Sequence, residues 1–150
     1  MRGIHTSLLA AAVGAALACG DSSSSAAPPP QSGFTISISN FSFSPLDLHV
    51  PPGATVTVVN HDAMVHSVTS EATPNAFTPG AVSGVSFDTG QFTGTRTFTI
   101  PANAPAGAVV PYFCTSHRGT MTTPNGSITI DPNAASTTTS GGGGGGGGGY

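Results

Sequence analysis

Short runs in which every second residue is apolar, each closed by a glycine- or proline-rich turn, constrain this chain more than any other feature. Residues 34–39 (FTISIS) set Phe34, Ile36 and Ile38 against Thr and Ser, and residues 54–60 (ATVTVVN) repeat the pattern with Val56 and Val58. Residues 95–100 and 126–131 follow it, and shorter β-rich runs occupy 47–50, 66–70, 84–88 and 109–114. A period of two puts alternate side chains on opposite faces of a strand, so one face can be buried while the other stays wet. Pro51-Pro52-Gly53, Pro79-Gly80, Asp88-Thr89-Gly90 and Pro124-Asn125-Gly126 supply the turns. No segment carries a helical period, and residues 103–110 are broken by Pro105 and Gly107. The expected fold is all-β: about eight strands in an antiparallel β-sandwich or barrel.

The two ends of the chain do not share this pattern. Arg2 precedes an apolar run, Leu8 to Leu17, too short to span a bilayer, and small residues then lead to Cys19. Residues 1–18 therefore read as an export signal. It resembles the bacterial lipoprotein type, in which the cysteine becomes the lipidated first residue, although Leu17 lies two rather than three residues before it. The Ser- and Pro-rich stretch 19–33 suits a tether. Residues 133–150 end in a glycine run that cannot bury a core, and read as a disordered tail. The folding domain is thus expected over 34–132, roughly 100 residues and one core.

Charge limits the partners. The chain has three cationic and six acidic residues, a formal net charge of -3. Nucleic acid and anionic lipid surfaces are bound through clustered Lys and Arg, and none are clustered here. Any membrane association is expected only through a lipid on Cys19, and the chain is expected to be a monomer.

If Cys19 is acylated or removed, Cys114 is the one cysteine left in an oxidising compartment. Burial as a small hydrophobe or coordination to a metal would each protect it. The surrounding sequence, "YFCTSHRGTM", adds His117 after two residues and Met121 three residues further on. His49, His61 and His66 lie elsewhere, and a loop of a sandwich can bring one of them to the same end. Thiolate and thioether are soft donors, and imidazole suits copper as well. Two His and one Cys with a distant Met describe a copper site for electron transfer. Thiolate ligation would also keep the lone sulfur deprotonated and protected.

At this point the sequence resembles the cupredoxins, in particular the plastocyanin-like small blue (type 1) copper proteins. Three stretches carry the resemblance: "VVNHDAMVHSVT", "FDTGQFTGTRTFTIP" and "PYFCTSHRGTM". The resemblance implies a Greek-key sandwich holding one copper ion that cycles between Cu(I) and Cu(II). It implies His66, Cys114, His117 and Met121 as ligands, with redox proteins docking on an apolar surface near His117. Ser67 falls where many relatives carry an Asn that bonds to the cysteine loop. Relatives often place two or four residues between this His and Met, whereas three, Arg118 to Thr120, intervene here. Met64, two residues before His66, is a second thioether that could approach.

The expected function is a one-electron carrier in the bacterial cell envelope, exported to the periplasm and held there as a lipoprotein. The alternative is periplasmic copper storage, delivery or sensing without an electron-carrier role. An enzyme is not expected: copper oxidases and nitrite reductases of related fold need His-x-His and His-Cys-His clusters, which the sequence does not contain. A Cys–His hydrolase would need an acidic orienting group that the cysteine loop does not offer.

Overall fold

The protein is described by a computed structural model that covers residues 33–136. The export segment 1–18, Cys19 with nearly all of the tether, and the glycine-rich run lie outside the described residues. Eight strands form two four-stranded sheets: β1 (Phe34–Ser39), β2 (Ser42–Ser44), β3 (Asp47–Val50), β4 (Thr55–Asn60), β5 (Thr69–Ser70), β6 (Gly94–Thr99), β7 (Val109–Phe113) and β8 (Asn125–Ile130). One sheet runs β2-β1-β4-β6 and the other β3-β8-β7-β5. No helix among the described residues is long and apolar enough to cross a membrane.

The alternation in sequence becomes the core directly. Phe34, Ile36 and Ile38 of β1 and Val56 and Val58 of β4 point inward from one sheet. Val50, Val110, Tyr112, Ile128 and Ile130 meet them from the other. Phe87 and Phe98 stack at 4.4 Å between ring centroids. Each such side chain contributes about 1.5–3 kcal/mol by leaving water. Chain contact with this core extends to Ala134, whose N–H donates to Asp131 O.

Two features of the expected layout change. First, both sheets are mixed rather than antiparallel throughout: β1 pairs parallel with β4, and β3 with β8. Alternation fixes which face of a strand is buried but not the direction of its neighbour. Secondly, residues 84–88 do not form a strand, and β2 takes the eighth place. Ser83 and Gly84 turn with φ of 51° and 80°, so Val82 and Val85 bond to each other in an isolated bridge. Phe87 then pairs with Ser70 partly through the serine hydroxyl, which accepts its N–H at 3.0 Å. Likewise β5 is only two residues long, because His66 bonds both ways with Phe92 and the Val68 N–H goes to the Thr89 hydroxyl.

Strand direction decides where chemistry can gather. β1, β4 and β7 all deliver their C-terminal ends to one pole, followed by the Asn40–Phe41 turn, the 61–66 connection and Cys114 respectively. At the opposite pole Gly33 lies beside Ser136, so close that a Cβ on Gly33 would sit 2.6 Å from the serine's Cβ.

Candidate metal centre

Three of the expected ligands converge at the first pole. The Sγ of Cys114 lies 3.6 Å from His66 Nδ1 and 3.5 Å from His117 Nδ1, and one ligand atom from each residue lies within 4.8 Å of the others. His66 is fully buried and Cys114 is 1% exposed, while His117 is half-buried and so is the ligand nearest solvent. Met121 is buried and shares the apolar cluster of Cys114. Met64 is 52% exposed on the connection before His66. His61 is exposed, and exposed His49 sits far along β3 between Asp47 and Asp131, at 3.1 and 3.5 Å.

The ligand loop is shaped by its own backbone. β7 ends at Phe113, His117 N–H donates to Cys114 O, and Thr120 N–H donates to His117 O. This tight turn brings the side chains of residues 114 and 117 to the same side. Thr122 N–H then donates to Phe41 O at 2.9 Å, anchoring the loop to the β1–β2 turn.

Ser67 binds the two ligand loops together. Its N–H donates to Cys114 Sγ at 3.4 Å, and its hydroxyl accepts the N–H of Thr115 at 2.9 Å. The sulfur thus sits in a buried pocket with a backbone donor aimed at it, which fixes its position. The hydroxyl does what the resemblance assigned to an Asn in this place.

Two residues that the sequence reading left unassigned complete the pole. Asp62 accepts the N–H groups of Asn40 and Phe41 at 2.7 and 2.9 Å, and its Oδ2 lies 3.0 Å from His66 Nε2. The hydrogen bond from Phe41, the largest influence, together with those from Asn40 and His66, holds the Asp62 carboxyl below its ordinary range despite its partial burial. Burial pushes the His66 imidazole below its usual value, and Asp62 opposes this. The Phe41 ring packs T-shaped against both imidazoles, at 5.2 Å from His66 and 5.0 Å from His117 between centroids. An acidic residue four before a candidate ligand was the available signal for Asp62. Nothing local marked Phe41, because its place depends on a turn with φ of 57°.

The donor set suits copper. A buried, hydrogen-bonded sulfur between two imidazole nitrogens offers soft and borderline donors together, with a thioether buried in the same cluster. The fold and site together define a β-sandwich of two four-stranded sheets with a His-Cys-His centre at one pole.

Among solved structures, the chain is similar to a purple cupredoxin from Nitrosopumilus maritimus, at 24% identity over 65% of this chain and 99% of that one, with a TM-score of 0.46. It is similar to amicyanin from Paracoccus versutus at 20% identity over 69% of this chain and 86% of that one, with a TM-score of 0.48. At this identity and overlap these likenesses assign no activity to the chain. No protein-family model matches the sequence, and no curated protein matches it.

Proposed function

We propose that the chain is a one-electron carrier in which His66, Cys114 and His117, together with Met121, would hold a single copper ion. The observation that carries this reading is the convergence of two Nδ1 atoms and one Sγ within 4.8 Å in a largely buried pocket. Copper bound there would supply a Cu(I)/Cu(II) couple that takes and releases one electron without making or breaking covalent bonds. The protein's part is to keep the donors from moving. Cys114 is held by Ser67, His66 by Asp62, and the loop carrying His117 by its own turn.

His117, the least buried ligand, is the natural exit for the electron. Exposed Phe41 packs against it, and exposed Met64 and Val65 flank His66. This apolar rim, with Arg118 next in the chain, would dock redox proteins with weak dependence on salt. Export and a lipid on Cys19 would place the protein in the cell envelope. Gly33 lies at the pole opposite the site, so a tether leading into it would turn the site away from an anchoring surface.

The test is the visible spectrum of the purified chain with Cu(II). Intense blue absorption that disappears in Cys114→Ser and persists in Met121→Gln is expected. A colourless protein that takes zinc as readily as copper would overturn the reading.

A further inference from the structure

We propose that Asp62 is the positioning residue of this centre: it keeps the proton of His66 on Nε2, so that the Nδ1 lone pair faces Cys114, and it holds Phe41 over both imidazoles. The consequence for metal binding rests on the copper reading above, whereas the choice of tautomer does not.

An ionised carboxylate can only accept, so the 3.0 Å contact between Asp62 Oδ2 and His66 Nε2 requires the imidazole to donate. A neutral imidazole that donates from Nε2 has its lone pair on Nδ1, the atom 3.6 Å from Cys114 Sγ. The same carboxylate gathers two successive backbone N–H groups, those of Asn40 and Phe41, which converge on it because both residues adopt positive φ, 51° and 57°. For Phe41 this conformation is strained, and the pair of bonds to Asp62 is what holds it. Phe41 O in turn accepts the N–H of Thr122, next to Met121. Asp62 is itself held: its N–H donates to the Oδ1 of buried Asn60, whose Nδ2 donates to Met64 O and Phe92 O. The carboxylate thus joins the first histidine, the aromatic cover and the ligand loop.

The experiment uses the full chain, first without metal, with the protonated ring nitrogen of His66 read by long-range ¹⁵N NMR correlation. The wild-type ring is expected to carry its proton on Nε2. In Asp62→Asn the side-chain oxygen turns to the Asn40–Phe41 turn and the amide NH₂ faces Nε2. The ring is then expected to switch to the Nδ1–H form, and affinity for Cu(II) to fall about 10- to 100-fold. Asp62→Glu, which keeps the acceptor, should retain the Nε2–H form. A wild-type ring protonated on Nδ1 overturns the proposal. So does an Asp62→Asn ring still protonated on Nε2 with Cu(II) affinity within about twofold of wild type, short of the usual effect of such partners. In either case a blue wild-type protein would still uphold the copper reading. A colourless wild type whose tautomer switches in Asp62→Asn would sink the copper reading and leave the positioning role standing.

Discussion

The backbone N–H of Ser67 points at the sulfur of Cys114 across 3.4 Å, while the hydroxyl of the same serine receives the N–H of Thr115. One small residue therefore supports both the sulfur and the loop that carries it. Ser67→Ala should separate these roles. The Thr115 N–H loses its partner, and an unpaired, part-buried donor costs about 1–3 kcal/mol. Urea unfolding of the metal-free chain should register that loss. The blue band should stay nearly in place, since the N–H directed at the sulfur belongs to the backbone. Unchanged stability would show that the hydroxyl contributes nothing.

Phe41 covers His66 and His117 in a conformation that glycine adopts freely. In Phe41→Gly, relief of backbone strain should roughly offset the lost apolar contact, leaving stability within about 1 kcal/mol of wild type. Access to the two imidazoles should increase. Removal of copper by an external chelator, followed by loss of colour, is expected to become several-fold faster. An unchanged rate would mean that the ring does not limit access.

Glu71 is fully buried and receives the N–H groups of Asn75 and Phe77 and the side-chain amide of Asn125. It folds the 72–79 segment so that Phe77 packs against Phe113 and lies 3.5 Å from where a Cβ on Gly119 would be. Glu71→Ala strands three donors and should cost about 3 kcal/mol, a fall of roughly 12 °C or more in Tm for a domain of this size. Calorimetry of the metal-free chain measures it. A fall of only a degree or two would contradict the assigned role.

Burial, the main cause, pushes the Tyr112 phenol above its ordinary value of 10.0, and Asp47 adds to the shift. A group whose pKa is raised by folding contributes stability that is complete below its unfolded pKa and is lost as pH rises beyond it. The urea midpoint should therefore hold steady up to about pH 10 and decline above it. Tyr112→Phe removes the ionising group and only a long 3.5 Å contact to Pro45 O, so its alkaline decline should be shallower. Parallel declines in the two proteins would exclude Tyr112 as the cause.

Much of the architecture was legible because strands announce themselves locally. The inward positions of β1, β4 and β8 lie where alternation placed them, and β3 coincides with the run at 47–50. The segment 84–88 looked similar, yet it turned at Ser83 and Gly84 and bonded through the Ser70 hydroxyl. β2 escaped notice because three residues carry too little pattern to read.

The sequence by itself determined the donor chemistry: a thiol, an imidazole and a thioether within one short segment, because side-chain identity and local spacing are properties of the chain alone. It also determined which face of β1, β4 and β8 avoids water. The resemblance of residues 58–69 pointed to His66, but only the tertiary structure brings it, rather than His49 or His61, to that thiol, with Asp62 and Phe41 holding it there. Those relationships depend on strand direction, long-range loop closure and two positive φ angles in non-glycine residues. None of these is set by neighbours in sequence; each is stabilised by contacts that exist only once both sheets have packed.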